Sequence, residues 1–298
     1  MDAGEPWPTI LSAAKDDPGP STARALGGWL AEDLVAQGRP QGAAQASEMR
    51  SRAAAAERAI GEAVAAVVSP TFLSSASPAA AEGRENLIDL FGGESDRLAE
   101  AVQEGFAKAS GSPLVAVRRS LALSDILPEG PRNERVRFAR PVGPPPGLAL
   151  EPLAHLRQDI ARLKHYTVHD AVSRTGRPMS IAASSSYFKV VRPPVSLDGD
   201  LAEFRAMSGV TNAADAWSDA ARDGLMAGLE ERLKVRGSQA LLGNAGDASA
   251  VLRALEIERA AADLKGALSS DPDAAVIPAE GLLALVISAP LPDGGLTP

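Results

Sequence analysis

The chain's three histidines all lie in one predicted helix, within the stretch "HLRQDIARLKHYTVHD" at 155–170. His165 and His169 are four residues apart, a spacing that brings two imidazoles together on a helix face and suits zinc. With about 100° per residue, His155 falls on the same polar face of the helix. His155, His165 and His169 are therefore the candidate metal ligands of this sequence, and also its candidates for proton transfer.

Other features of this helix indicate a polar surface rather than a metal or catalytic site. Arg162 falls on the same face, where its charge opposes a bound cation, and no third protein ligand stands squarely beside the histidines. We therefore predict no metal, no cofactor and no catalytic residue, and we expect the face to be solvated or to contact a partner protein. In the latter case, protonation of the histidines would modulate the contact. The opposite, packed face is predicted to consist of Leu153, Leu156, Ile160 and Leu163.

The remaining sequence offers little that resembles catalysis. Two Ser-x-x-Lys matches, Ser12 to Lys15 and Ser186 to Lys189, lack the companion motifs of serine-lysine enzymes. The second match lies in a predicted strand, where its two side chains would point to opposite faces. No Gly-x-Ser-x-Gly elbow, Walker phosphate loop, dinucleotide-binding glycine motif or His-Glu-x-x-His motif occurs. We therefore predict that the chain is not an enzyme. Two pairs of neighbouring acidic residues are predicted to be exposed charges on helices. They are Glu230 with Glu231, and Glu256 with Glu258.

Most of the chain is predicted to be helical. Apolar residues recur at helical spacing in many segments, and the segment at 84–110 is either one helix or two joined at Gly92 and Gly93. In 45–68 this spacing predicts one buried stripe, formed by Met49, Ala53, Ala56, Ile60, Val64 and Val67. Thr211 is the expected N-cap of a helix whose buried face is formed by Trp217, Ala221, Leu225, Leu229 and Leu233. We expect this helix and the next one to form a helical hairpin. The predicted helices are 20–38, with Ser21 or Thr22 as its cap, then 45–68, 84–110, 150–174, 198–208, 211–237 and 247–269.

Four short segments are rich in residues that favour strands. The first two, 112–123 and 134–142, are separated by turn-forming residues and are expected to pair as a hairpin. The last, a short continuous apolar run, fits a buried strand slightly better than a helix. The predicted fold class is mainly α (α+β), with helical bundle and hairpin elements and a small β-sheet. Its strands are expected near 112–123, 134–142, 186–192 and 282–288.

The best boundary signal is the proline run in "GPPPGLALEP", because consecutive prolines favour stiff polyproline II. It predicts a boundary near 143–150. The expected organisation is an N-terminal helical region at 1–110, a β-hairpin with a Pro-rich connector at 111–149, and a C-terminal helical region with a terminal strand at 150–298.

Composition excludes several classes of partner and site. The net charge is −8 with cations and anions interspersed, which argues against nucleic acid as the main partner. The chain has no cysteine, which excludes disulfides and thiolate metal sites. No apolar run approaches the ~20 residues that span a bilayer, and no signal-peptide pattern opens the chain. We therefore predict cytoplasmic synthesis without a signal peptide and no membrane span.

These observations favour a non-enzymatic structural or assembly subunit that forms a homo- or hetero-oligomer with other protein subunits. A virion, connector or phage-tail-like component fits the Ala-rich composition, the missing cysteines and the missing signal peptide. Two alternatives stay open. One is a cytoplasmic enzyme or metal-binding protein that uses the helix face of His155, His165 and His169. The other is a helical regulatory adaptor whose hairpin at 211–269 binds a partner helix.

Overall fold

The structure is a computed structural model in which the mainly α (α+β) class is confirmed. It describes residues 20–37, 40–67, 78–116, 126–129, 135–138, 146–173, 201–244, 247–270 and 275–287. Within these ranges the α-helices are α1 (Pro20–Ala36), α2 (Ala46–Val67), α3 (Pro78–Ala109), α4 (Glu151–Ser173), α5 (Leu201–Val235), α6 (Ala248–Ser270) and α7 (Val276–Ile287). A short 3-10 helix, Gln239–Leu242, lies between α5 and α6.

The strands form two small antiparallel sheets. They are β1 (Gly42–Ala43), β2 (Pro113–Ala116), β3 (Ile126–Glu129), β4 (Arg135–Phe138) and β5 (Pro146–Leu148). One sheet has the order β1-β2-β5, with Leu114 opposite both Gly42 and Leu148. The other pairs β3 with β4.

The predicted hairpin between the segments 112–123 and 134–142 is wrong, although each segment contains a strand. β4 pairs instead with β3, which lies in the segment predicted as a turn. The shorter loop to β3 makes it the nearer partner for β4, since loop closure is entropically cheaper over fewer residues. The strand predicted at 186–192 lies outside the described residues.

Of the apolar run predicted as a strand at 282–288, residues 282–287 belong to helix α7 and residue 288 lies outside the described residues, so that prediction is wrong. Leu282 and Leu283 are buried, and α7 packs against α6, α4 and α3. A helix covered on several sides is apolar all round, so its sequence lacks the periodicity that would distinguish it from a buried strand. Arg253 of α6 donates a hydrogen bond of 3.0 Å to the carbonyl oxygen of Leu285, near the end of α7. A cation is favourable there because the carbonyls of the last turn carry partial negative charge.

Helical periodicity predicted the buried stripe of α2 correctly. Met49, Ala53, Ala56 and Ile60 are each at most 3% exposed. α3 runs unbroken through Gly92 and Gly93, which confirms the single-helix alternative. α5 is also one continuous helix, so Thr211 lies within it and the predicted break before that residue is wrong.

Helix α5 packs along α1 and α4, rather than forming the predicted hairpin with α6. Its stripe of Leu225, Leu229 and Leu233 is fully buried, as predicted. The contact with α1 is close because each helix has a glycine at the crossing. A Cβ at Gly27 would lie 2.0 Å from the carbonyl oxygen of Leu225, and a Cβ at Gly228 would lie 1.9 Å from that of Arg24. Only residues without a side chain permit this backbone approach.

Among the helices that the structure describes, none combines the length and apolar character needed to cross a bilayer.

Candidate functional site

The polar face of α4, predicted to be wet or partner-facing, is buried within the chain over its first three turns. His155 is 7% exposed, and Glu151 and Gln158 are 0% and 2% exposed. With about 100° per residue, these three residues fall within a ~60° arc of the helix. The predicted apolar face is buried as well, at Leu153, Leu156 and Ile160. Its sequence predicts a surface helix with one packed side, whereas α5, α6 and α7 all contact α4.

The three candidate histidines are therefore not a shared surface site. His155 is enclosed between helices, and the side chains of His165 and His169 lie outside the described part of the structure. Among the side chains that are described, no group of three or more His, Asp or Glu residues is arranged to hold a metal ion. His155 faces the interior of the chain. A metal site at the three histidines stays an untested alternative.

Burial strongly changes the ionisation of His155. The pKa of its imidazole is lowered to about 3, first by burial and then by the charges of Arg259 and Arg52. The imidazole is therefore neutral near pH ~7, since its pKa lies far below the usual ~6.5. A base this weak is poorly suited to proton transfer at neutral pH.

One group of charges, the Arg52 cluster, joins helices α2, α4 and α6. The Arg52 guanidinium forms ion pairs with Glu151 and Glu258, and its Nη2 lies 2.6 Å from Glu258 Oε2. Its Nε donates a hydrogen bond of 2.8 Å to Glu258 Oε1. The guanidinium also lies 5.0 Å from the centre of the Phe106 ring of α3, within the range of a cation-π contact.

Two further features hold the Arg52 cluster in place. Glu151 Oε1 accepts a hydrogen bond of 3.2 Å from the backbone N–H of Leu148, so the end of β5 is tied to the same carboxylate. Burial by itself would lower the pKa of Arg52, but the hydrogen bonds and charges of Glu258 and Glu151 raise it above its ordinary value. Arg52 therefore stays charged, and it links three helices and a strand to one another.

A second group, the Glu256 cluster, joins α4, α5 and α6. Glu256 forms ion pairs with Arg157 and Arg222, and Arg222 Nη2 lies 2.9 Å from Glu256 Oε2. Arg157 Nη1 also donates a hydrogen bond of 2.8 Å to the backbone carbonyl of Arg222. The side chain of Glu256 is 4% exposed. With two arginines and one glutamate, this cluster carries one net positive charge, whereas the Arg52 cluster, with one arginine and two glutamates, carries one net negative charge.

These positions correct one sequence prediction and confirm another. Glu256 and Glu258, predicted to be exposed charge, are partners in buried or half-buried ion pairs. Glu230 and Glu231 are exposed, as predicted. The sequence carried a signal for Glu256, because it lies between Leu255 and Ile257 in an apolar run. A charged residue in such a run is buried only when it is paired.

The two clusters are suited to fixing the helices rather than to turnover. The carboxylates of both clusters accept hydrogen bonds from arginines of this chain, so they are engaged in holding helices together. An additional ion pair of α4 lies beyond the clusters, with 3.4 Å between Arg162 Nη1 and Asp263 Oδ2. Buried ion pairs specify one alignment of neighbouring helices, because a shifted alignment leaves charges unpaired.

Removing the central carboxylate of the Glu256 cluster tests its structural importance. We expect Glu256→Gln to lower the free energy of unfolding by about 1.5–3 kcal/mol, since two half-buried guanidinium groups lose a charged acceptor. Urea unfolding monitored by circular dichroism measures this loss. The control is Glu231→Gln, whose ion pair with Arg24 is 61% and 58% exposed, and which should leave the unfolding midpoint unchanged. Equal midpoints for both variants would contradict a structural role for Glu256.

Comparison with known proteins finds related structures but no related sequence. No family model and no curated protein matches the chain. Solved structures that match include a glucosamine kinase in complex with glucosamine, ADP and inorganic phosphate, and glucosamine kinase in two further crystal forms. The TM-scores are 0.58–0.59 and the sequence identities 17–18%. The alignments cover 93–96% of this chain and 53–56% of the matched chains, so the chain spans about half their length.

This likeness corrects the functional prediction. A non-enzymatic assembly subunit, and a virion or phage-tail component in particular, was expected from composition and from missing motifs. The fold is instead similar to that of sugar kinases along nearly the whole chain, and this finding overturns both the assembly prediction and the prediction that the chain is not an enzyme. Composition misled because an alanine-rich chain without familiar motifs is compatible with many folds. At this level of identity, the chain and the glucosamine kinases share a fold.

Proposed function

We propose that the chain belongs to a phosphotransferase that transfers the terminal phosphoryl group of a nucleoside triphosphate to a hydroxyl of an amino sugar. The observation that supports the proposal is the structural likeness to glucosamine kinases over 93–96% of the chain. One of those structures holds glucosamine, ADP and inorganic phosphate. The sugar oxygen would form a bond to the terminal phosphorus while the bond to the bridging oxygen breaks. The nucleoside diphosphate and the hydroxyl proton would then depart.

The described residues fit this proposal as a rigid support. Phosphoryl transfer depends on positioning and on neutralising charge, so the groups that hold the reactants must themselves be fixed. The Arg52 and Glu256 clusters would serve this need by aligning α4 with α2, α5 and α6. Their carboxylates are committed to arginines, so we assign them no contact with substrate. The described side chains also form no group suited to a divalent cation, and we derive no step through one.

The direct test is a turnover assay on the purified full chain with ATP and glucosamine. We expect ADP release that depends on the sugar, together with a phosphorylated sugar detected by mass spectrometry. Glucose and N-acetylglucosamine serve as comparison sugars, because they differ from glucosamine only at the amino-bearing position. Isothermal titration calorimetry with ADP and with glucosamine separates binding from turnover. If the chain binds neither ADP nor glucosamine and releases no ADP in the assay, the proposal is wrong.

Two earlier expectations stay predictions beside this proposal. No observation tests whether the chain forms a homo- or hetero-oligomer with other protein subunits. The division into regions 1–110, 111–149 and 150–298 is likewise untested.

A further inference from the structure

His155 is a buried ionisable group that the proposed reaction does not use. It lies one turn after Glu151 on the same face of α4 and is 7% exposed. Its Nδ1 atom is buried and has no hydrogen-bond partner among the residues that the structure describes. The Arg52 cluster fixes its surroundings, because Arg52 joins Glu151, which precedes His155 by one turn, to Glu258 of the facing helix α6.

In the ion pairs that the structure describes around α4, each carboxylate is already paired with a cation other than His155. Glu151 and Glu258 are paired with Arg52, and Asp263 is paired with both Arg259 and Arg162. On the side of α5, Asp215 lies 3.2 Å from Lys164. α7 has one ionisable residue, Glu280, whose side chain lies outside the described part. Glu256, Arg157 and Arg222 are paired with one another in the Glu256 cluster, and Asp159 lies 3.9 Å from Arg162.

A proton on His155 would therefore add a charge that its surroundings oppose. The unfavourable charges that act on it are the guanidinium groups of Arg259 on α6 and Arg52 on α2. Burial removes the water that would otherwise stabilise the imidazolium.

We propose that His155 makes the packing of α4 against α6 acid-labile, because the closed helix interface accepts only the neutral imidazole. Acidification then favours conformations in which α4 has separated far enough for His155 to take up a proton. The opening of this interface would become more favourable already in mild acid. This inference concerns folding and does not depend on the proposed kinase activity.

The direction of the effect follows from proton linkage. The pKa of His155 is lowered to about 3 in the folded chain, against an ordinary value of 6.5. The neutral form therefore contributes its full stability above the unfolded pKa, and this contribution is lost as the pH falls towards the folded pKa. Between pH ~8 and ~5, the equilibrium constant for opening should rise about 30-fold through this residue alone.

Native-state hydrogen exchange of the α4 amides at the two pH values, corrected for intrinsic exchange rates, measures this change. The wild-type chain is compared with His155→Gln, which removes the imidazole and keeps all other titratable groups of the chain. We expect the opening constant of the wild-type chain to rise about 30-fold more than that of the variant. Equal pH dependence in the two proteins would overturn the proposal.

A second measurement works even if the variant does not fold. The chain has three histidines, so the imidazole signals in its NMR spectrum are few and can be assigned in the wild-type protein. In the folded chain, the His155 signal should keep its chemical shift from pH ~8 to ~5. Titration of that signal with a midpoint near the ordinary pKa of ~6.5 would show that the folded interface accepts the imidazolium, and the proposal would fail.

Discussion

Arg52→Ala should lower the free energy of unfolding by about 3–5 kcal/mol, the usual penalty for removing one partner of a buried ion pair. The reason lies in the groups left behind. The side chain of Glu151 is 1% exposed, so without Arg52 its charge is buried without this compensating cation. The cation-π contact with Phe106 and the hydrogen bonds to Glu258 are lost as well. Urea unfolding monitored by circular dichroism gives the magnitude.

The chain offers a matched control for Arg52 in the same pair of helices. Lys265 Nζ on α6 lies 2.5 Å from Glu62 Oε2 on α2, but the two side chains are 58% and 57% exposed. Lys265→Ala should therefore leave the unfolding midpoint unchanged, since solvent screens such a pair. The double variant Arg52→Met with Glu151→Gln should be more stable than Arg52→Ala, because it leaves no buried carboxylate at position 151. If it is no more stable, the loss does not come from the unpaired charge.

Gly27→Ala is expected to destabilise the chain by about 3 kcal/mol, at the upper end of what overpacking usually costs. The added Cβ would lie 2.0 Å from the carbonyl oxygen of Leu225, well inside van der Waals contact. A side chain can rotate away from such a clash, but here the obstacle is the backbone of α5. Relief requires α1 to move away from α5, which would open the packing around Leu225 and Leu229. Thermal or urea unfolding measures the loss.

Gly61→Ala is the control for the glycine substitution. Gly61 lies in the interior of α2, and a Cβ there has no neighbour within 4 Å. This variant should be more stable than the wild type by about 0.5–1 kcal/mol, because alanine loses less conformational freedom in a helix than glycine does. Wild-type stability in Gly27→Ala would mean that α1 and α5 do not cross closely at this glycine.

Local periodicity was sufficient where a helix buries one face. Met49, Ala53 and Ile60 recur at helical spacing, and the structure buries all three. The stripe of Leu225, Leu229 and Leu233 was predicted in the same way, but the sequence did not indicate that α1 covers it. Which helix covers a stripe depends on contacts between distant parts of the chain. The glycine crossing of Gly27 and Gly228 is a contact of this kind.

The burial of these charged residues could not be predicted from the sequence, for a related reason. Arg52, Glu151 and Glu258 are far apart in the chain, and each by itself reads as ordinary helix surface. Only when α2, α4 and α6 come together do their charges compensate one another, and burial becomes favourable only then. The same holds for Glu256, which was predicted to be exposed. Its position in an apolar run was an unused signal of burial, and the sequence did not identify Arg157 and Arg222 as its partners.

By itself, then, the sequence determined the mainly helical class and the apolar stripes of α2, α4 and α5, because helical spacing is a local property. Tertiary structure alone decided that 282–287 is helical and that His155 is buried. Both outcomes have the same physical reason: α4 and α7 are enclosed by several helices, and an enclosed helix has no solvent-facing side for its sequence to mark. The likeness to sugar kinases also became visible only in the fold, since at 17–18% identity the sequence retains little of it.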